Sequence, residues 1–310
     1  MTPPSADDGL AATKQLLLAR PETTGKCELL QIPSPFPLPN SRVFLLEPAG
    51  SYGPELRRQL LDGTYDKPFI LDCGVLRFLH FDFDKVQSLM RCDEPDALCL
   101  RYTRKMMAFL LFNPKPRRIL ILGLGGGSLA KFCYRHLPSA AITALENDSR
   151  VIALRDEFCV PADDERFRVL QGDGIRYVAL QGPRQGVILA DTYDCHGAAP
   201  GFASAEFYLN ARRRLTLGGV LVINIHGDTD ERAFQFARIR SVFGNRVIAL
   251  PVCEDGNLIA LAFRTDNAVR NWARREHMAH ALKERFGLNF PRFVRKMTRA
   301  PRVTTLRALA

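Results

Sequence analysis

The chain has 310 residues, of which 46% are hydrophobic and 25% are charged, so it can form one large domain or two unequal ones. It contains no apolar run of about 18 residues and no basic n-region before a signal-like apolar segment, so we expect neither a membrane span nor secretion. Its eight cysteines include no Cys-x-x-Cys pair. This pattern predicts reduced thiols, no metal site and a cytoplasmic protein.

The net charge of +10 is concentrated at one end of the chain. Residues 267–310 hold 11 Lys and Arg against 2 Asp and Glu, whereas the preceding 266 residues hold 32 against 31. We therefore interpret residues 266–310 as a basic helix and tail, separate from the rest of the chain. A solvated basic face is favoured; binding of RNA, an acidic partner or an anionic surface is the alternative.

The amino-terminal third has the weakest pattern. Residues 1–41 are rich in proline, serine and threonine, which predicts a disordered or extended arm. Residues 42–92 contain short β-like runs separated by glycines, which predicts a small β-meander domain. Next, ALCLRYTRKMMAFLLF predicts a helix that ends at Asn113-Pro114 and links the two domains.

Residues 93–265 predict a Rossmann-like domain. From Arg118 onwards, five strands alternate with helices predicted near 128–136, 149–158, 175–180, 204–215 and 231–242. Such alternation is typical of a parallel sheet with helices on both faces. The last two strands, NRVIALP and LIALAF, are joined by a short turn, so the final strand is antiparallel. The fold class is therefore α/β, a doubly wound and mostly parallel seven-stranded sheet that resembles the class I methyltransferase type.

The first of these strands runs into a glycine-rich turn, ILILGLGGGSLAK. A strand, a glycine turn and a helix amino terminus form a nucleotide cradle. The glycines that form it are Gly123, Gly125, Gly126 and Gly127. Because the turn contains no phosphate-binding Lys or Arg, the pattern favours a nucleoside without a pyrophosphate.

Two acidic positions follow at the ends of the next two strands. Glu146 can accept hydrogen bonds from both ribose hydroxyls, and Asp173, beside Gly174, can accept one from an adenine amino group. Either carboxylate alone could be a solvated strand end. Together with the glycine turn, they predict a pocket for S-adenosylmethionine or its decarboxylated form.

The fourth strand ends at the segment Asp191-Thr192-Tyr193-Asp194. Two carboxylates three residues apart can hold a cationic amine and remove its proton, which is required before the amine attacks a carbon next to a sulfonium. An Asp-rich turn is the structural alternative. His196 is a second candidate base.

With these features the chain resembles the spermidine synthase (polyamine aminopropyltransferase) superfamily over residues 42–265. The matching elements are Val86–Met90, Tyr102, the glycine turn, Glu146, Gly172–Gly174, Asp191-x-x-Asp194, Glu206–Tyr208 and Gly218–Asn224. The resemblance implies that Gln87, the glycine turn, Glu146, Asn147, Asp173, Gly174 and Thr192 surround the nucleoside. It also implies that Asp191 is the base, that Asp194 helps hold the amine, and that Tyr102 lies at the reacting edge.

The chain departs from the family pattern at three positions. Gly126 stands where the family has an Asp, and Thr103 and Arg104 stand where it usually has His and Glu. An Arg–carboxylate pair is a strong contact. Because Gly126 carries no charge that would repel a donor carboxylate, we expect S-adenosylmethionine to bind more tightly than its decarboxylated form. Arg104 would add an attraction if it lines the pocket, and Gly126→Asp should reverse or flatten the preference.

The resulting function is that of a spermidine-synthase-like transferase, which moves a methyl, aminocarboxypropyl or aminopropyl group to an amine or another small nucleophile. Three alternatives stay open at this point: an authentic polyamine aminopropyltransferase, an RNA-modifying transferase that uses the basic tail, and a non-catalytic nucleoside-binding scaffold. The resemblance and the exposed strand edges of the β-meander also predict a homodimer.

Overall fold

A computed structural model describes residues 27–82, 85–194, 197–198, 201–252, 256–266 and 271–299. Within this part, no helix is long and apolar enough to cross a membrane. Most of the expected arm, the candidate base His196 and the last part of the basic tail lie outside the described residues.

The amino-terminal domain is a five-stranded antiparallel sheet whose strands follow chain order. A short helix, α1, connects its second and third strands. The elements are β1 (Cys27–Pro33), β2 (Arg42–Pro48), α1 (Gly53–Leu61), β3 (Phe69–Asp72), β4 (Leu76–His80) and β5 (Val86–Arg91).

Strand β1 corrects the expected domain boundary. It pairs with β2 over its whole length, so the sheet begins by Cys27 and not at Arg42. Pro35, Pro37 and Pro39, which suggested an extended arm, lie in the loop between these strands, where Phe36 is buried with Ile32. Proline lacks the N–H that a strand interior uses, so it belongs in this loop, while the alternating residues before it form an edge strand.

The connecting segment is shorter and more buried than a single amphipathic helix. Helix α2 (Arg101–Met106) continues as a 3₁₀ turn over Met107–Leu111, every residue of which is buried. An apolar sequence without a polar side fits a position inside the core rather than on the surface. This buried segment therefore anchors α2, which contacts strands of the large sheet.

The large domain contains a seven-stranded sheet in the order β13-β14-β12-β9-β6-β7-β8. Only the pairings of β14 with β12 and with β13 are antiparallel, which confirms the predicted sheet and its final hairpin. The strands are β6 (Arg118–Leu122), β7 (Ala141–Glu146), β8 (Phe167–Gln171), β9 (Gln185–Ala190), β12 (Leu215–Ile225), β13 (Val247–Pro251) and β14 (Leu258–Phe263). A separate two-stranded ladder consists of β10 (Tyr193–Asp194) and β11 (Gly197–Ala198).

Helices cover both faces of this sheet at nearly all the predicted positions. They are α3 (Ser128–His136), α4 (Ser149–Ala153), α5 (Gly174–Ala179), α6 (Ala205–Arg214) and α7 (Thr229–Phe243). Helix α4 is shorter than expected, because the chain leaves it in consecutive turns that bury Phe158 and place Cys159 at a φ of 53°.

The basic carboxyl-terminal region forms two helices rather than one. Helix α8 (Trp272–Phe286) ends at Gly287, which has a left-handed φ of 68°, and α9 (Phe290–Arg299) follows. Glycine adopts this conformation without steric cost, so it ends the helix. The apolar side chains of α9, including Phe290 and Val294, are buried in the main core, so this part of the region belongs to the folded domain.

Lys131 is a cation inside that core. Its side chain belongs to α3, is 3% exposed, and donates from Nζ to the Phe158 carbonyl at 2.7 Å. Burial lowers the pKa of Lys131 to about 8. In the unfolded chain the amine regains its ordinary pKa and binds more protons above pH 8, so the native state gains stability as pH rises through this window.

We predict that the free energy of unfolding rises by roughly 2 kcal/mol between about pH 7.5 and about pH 9.5 through Lys131 alone. Urea unfolding of the wild type and of Lys131→Met at both pH values measures this contribution. Lys131→Met lacks the gain. Identical pH slopes for the two proteins would contradict the assignment.

Candidate functional site

The glycine turn after β6 lies directly against the end of β9. Gly123 has a φ of 90°, and a β-carbon at this position would collide with the main-chain carbonyl of Asp191. The two strands are neighbours in the sheet, so their carboxyl ends meet here. Only glycine satisfies both the backbone conformation and the close approach. The predicted nucleoside turn and the predicted base are therefore adjacent. The remaining turn glycines with positive φ are Gly125 and Gly127.

Gly126 serves packing rather than an open pocket. A β-carbon there would lie 2.7 Å from Ser88 Oγ on β5 and 2.9 Å from Phe158 Cδ1. An Asp side chain would therefore have to displace either Ser88 or Phe158. Gly126→Asp consequently changes packing as well as charge, and the expected test of donor preference by this substitution is not a clean one.

Glu146 lies at the end of β7, half-buried, and its carboxylate binds the glycine turn. Oε2 accepts hydrogen bonds from the main-chain N–H groups of Leu124 at 3.0 Å and Gly125 at 3.4 Å. Oε1 accepts from the N–H groups of Asn147 at 2.8 Å and Asp148 at 3.0 Å. Four donors occupy the four acceptor positions of a carboxylate. To bind a ribose hydroxyl, Glu146 must therefore give up one of these four hydrogen bonds, such as the long one from the Gly125 N–H.

Asp173 lies at the end of the neighbouring strand β8 and caps α5. Its Oδ1 accepts from the N–H of Ile175 at 2.8 Å and of Arg176 at 3.4 Å. A β-carbon on Gly174 would lie 3.1 Å from the Phe202 ring. An apolar ring beside a small residue and a carboxylate suits a flat heterocycle with an exocyclic amino group.

Asp191 follows β9 and is held by two side chains. Asn224 Nδ2 donates to Asp191 Oδ1 at 2.9 Å, and the Tyr102 side chain also hydrogen-bonds the carboxylate. Burial raises the pKa of Asp191, and both hydrogen bonds oppose that rise. Burial and the nearby Asp191 charge raise the pKa of Tyr102 well above its usual range, so the phenol stays protonated and donates.

Asn224 is itself oriented by a further amide. Asn257 Nδ2 donates to Asn224 Oδ1 at 2.9 Å, and both side chains are buried. This contact fixes which end of the Asn224 amide faces Asp191, because only the NH₂ group can donate to a carboxylate. These roles of Asn224 and Asn257 are not predicted by the sequence pattern. The available signal was a polar Asn224 near the end of a strand that is otherwise apolar over VLVINI.

The other predicted residues lie around this edge with less specific contacts. Gln87 is half-buried on β5, next to Ser88, whose hydroxyl lies 3.4 Å from Ser128 Oγ on α3. Thr192 is half-buried beside Asp191, and Asn147 is exposed. The backbone of Asp194 is in β10, and its side chain lies outside the described part of the structure.

Arg104 does not meet the expectation that it lines the pocket. It is exposed, and its guanidinium donates to the main-chain carbonyls of Leu98 at 2.5 Å and Cys99 at 3.0 Å. These carbonyls belong to the loop before α2. The structure therefore removes the attraction that Arg104 would have given a donor carboxylate, whereas the uncharged Gly126 remains.

No group of three or more His, Cys, Asp or Glu side chains that could hold a metal ion occurs among the residues whose placement is described.

The topology and the acid-bearing sheet edge define a transferase with the class I methyltransferase-type fold. The Spermine/spermidine synthase domain model matches residues 99–230. A polyamine aminopropyltransferase of Chromobacterium violaceum is 36% identical over 226 residues, which cover 72% of this chain and 86% of the relative. One from Neisseria meningitidis serogroup A is 34% identical and covers 71% and 85%, respectively. The chain belongs to the spermine/spermidine synthase family.

A solved structure agrees with the fold. A probable spermidine synthase from Corynebacterium glutamicum, 21% identical, matches with a TM-score of 0.59 over 76% of this chain and 92% of that one. At this identity the likeness concerns the fold alone. It confirms the predicted combination of a Rossmann-like sheet with a small β domain.

We predict that Asn224→Leu raises the pKa of Asp191, because it removes a hydrogen bond to the charged form. The acid limb of the pH–rate profile for turnover with an amine should move upwards by about one pH unit. Asn257→Leu should move the acid limb in the same direction by a smaller amount. An unchanged limb in Asn224→Leu, with normal thermal unfolding, would show that Asn224 does not tune Asp191.

Proposed function

We propose that this enzyme transfers an aminopropyl group from decarboxylated S-adenosylmethionine to a small amine, with Asp191 as the base. One observation carries the proposal: Asp191, whose carboxylate has a raised pKa and is held by Tyr102 and Asn224, has its main-chain carbonyl against the glycine turn at Gly123. A nucleoside on the turn would bring its sulfonium to the edge where this carboxylate lies.

The nucleoside contacts follow from the strand ends. Asp173 uses only Oδ1 to cap α5 among the described contacts, which leaves Oδ2 for an adenine amino group. Glu146 would exchange its long contact with Gly125 for a ribose hydroxyl. Gln87 and Thr192 would complete the pocket, Gln87 from the β5 side and Thr192 from the segment after Asp191. Asn147 would contribute from the exposed rim.

The chemistry is a substitution at the carbon next to sulfur. The lone pair of the amine nitrogen forms the new C–N bond, the C–S bond breaks, and its electrons stay on the thioether sulfur. The amine proton passes to Asp191, directly or through a water. An alkylamine is mostly protonated at neutral pH, so a carboxylate that both attracts the ammonium and accepts its proton serves two steps. Tyr102 and Asn224 hold the Asp191 carboxylate in place while it attracts the ammonium and while it accepts the proton.

The choice of donor and acceptor rests on two supports. Relatives at 34–36% identity are named polyamine aminopropyltransferases. In addition, Arg104 is engaged with main-chain carbonyls, so among the described contacts it makes none with the pocket that would favour a donor carboxylate. Asp194 would supply a second carboxylate for the cationic acceptor. We further propose a cytoplasmic homodimer, in which the exposed edge strand β1 is covered.

We predict that the wild type, given both donors and a mixture of diamines, releases methylthioadenosine and an aminopropylated amine. Asp191→Asn should lower kcat by about 10²- to 10⁴-fold, because it removes the base and leaves the shape unchanged. Mass spectrometry of the products is the measurement. Adenosylhomocysteine as the by-product would mean methyl transfer, and full activity of Asp191→Asn would remove the proposed base.

We predict separately that Glu146→Ala and Asp173→Ala each weaken methylthioadenosine binding by about 1–3 kcal/mol, because each removes a charged hydrogen-bond acceptor. Calorimetric titration measures this loss. Asp163→Ala, a substitution of another carboxylate on the same domain, is the matched control and should bind normally. Unchanged affinity in both pocket variants would exclude this nucleoside pocket.

A further inference from the structure

Five arginines lie at the amino-terminal edge of the large sheet, opposite the edge that carries Asp191. They come from three places that this topology brings together: the residue before β9, the last turn of α6, and the residue after β14, which runs antiparallel to β12. They are Arg184, Arg212, Arg213, Arg214 and Arg264.

These cations converge without a counter-charge. Arg184 Nη1 donates to the Leu215 carbonyl at 3.4 Å, and Arg264 Nη1 donates to the same oxygen. In the part of the chain that the structure describes, none of the five guanidinium groups has a carboxylate within 4.0 Å. Arg212 donates to the Val242 carbonyl at 3.1 Å and Arg213 to Asn210 Oδ1 at 3.5 Å, so these partners are also uncharged. Neighbouring like charges repel each other, so an anion at this place would be stabilised.

Arg214 is a buried cation that also lacks a carboxylate partner among the described residues. It is 6% exposed, and its Nε and Nη1 atoms have no hydrogen-bond partner among the described residues. Its only described neighbour of electrostatic consequence is the Tyr177 ring, 5.5 Å away. A buried cation without an oxygen partner is costly, and a nearby anion reduces that cost.

A surface cavity of about 410 Å³ lies beside three of these arginines, whereas Arg184 and Arg214 do not line it. Arg212, Arg213 and Arg264 line it together with Leu209, Leu217 and Thr265. The two leucines are 43% and 70% exposed. Leu217 lies in an irregular stretch of β12, where the pairing with β9 shifts register between Leu215 and Val220. The volume is that of a small-molecule site, and the lining is mainly apolar with three guanidinium groups around it.

We propose that this cavity binds an organic diphosphate or triphosphate of the nucleoside type. Guanidinium groups bind phosphate oxygens in pairs of charge-assisted hydrogen bonds, and several of them around one cavity require a ligand with several negative charges. The exposed leucines would contact the apolar face of the base. This site goes beyond the proposed transfer reaction and is independent of Asp191.

The test is calorimetric titration of the full chain with ADP, inorganic pyrophosphate and adenosine at constant ionic strength. Saturating methylthioadenosine is present throughout, so that the nucleoside pocket is blocked. ADP and pyrophosphate should bind, ADP more tightly, and adenosine should not. Arg213→Gln should lower the affinity for both ADP and pyrophosphate by about tenfold or more, because one charge-assisted contact is lost. Leu217→Ser should lower the affinity for ADP and leave the affinity for pyrophosphate unchanged.

Arg57→Gln on α1 removes the same charge far from the cavity and is the matched control. The proposal is overturned if neither phosphate ligand binds, if Arg213→Gln binds both normally, or if Arg57→Gln loses as much affinity. It is also overturned if methylthioadenosine displaces ADP, which would place ADP in the nucleoside pocket. Preference for polyglutamate over both phosphate probes would assign the surface to an acidic protein partner instead.

Discussion

The close approach of Gly123 to the carbonyl of Asp191 is the constraint on which the site depends. Strands β6 and β9 are adjacent and parallel, so their ends must lie side by side, and the turn after β6 must leave the sheet without pushing β9 away. A residue with a β-carbon cannot make this turn. Because the same turn would carry the nucleoside, its position fixes how far the reacting carbon lies from the Asp191 carboxylate.

Around this junction, the carboxylates of Glu146 and Asp191 accept hydrogen bonds from different kinds of donor. Glu146 is saturated by main-chain N–H groups and ties the glycine turn to β7. Asp191 instead accepts from two side chains in a protein environment that raises its pKa. The first arrangement fixes the turn that would position a ligand. The second favours a carboxylate that can take up a proton, which is the property a base needs.

The large sheet and most of its helices could be predicted from the sequence, because alternation of apolar runs and glycine turns directly specifies a βα pattern. The positions of Glu146, Asp173 and Asp191 followed from the rule that parallel strands end at one edge. Other features depended on tertiary contacts with no local signature. Strand β1 was hidden by the prolines that follow it, and the orientation of Arg104 depends on carbonyls in a loop. Two hydrogen bonds link Asn257 to Asn224 and Asn224 to Asp191, and each connects residues that are 33 positions apart in the sequence. Of the departures from the family pattern, Arg104 does not bring its charge to the pocket, and Gly126 packs closely against Ser88 and Phe158.

The central claim is that one carboxylate, fixed beside the nucleoside turn, receives the acceptor amine. A crystal structure with methylthioadenosine and a diamine tests it most directly. The account predicts the amine nitrogen at about 2.6–3.2 Å from the Asp191 carboxylate, with Asn224 still bound to Asp191 and the ribose on Glu146. A nucleoside away from the Gly123 turn, or an amine held by other groups while Asp191 keeps only Tyr102 and Asn224, would contradict it.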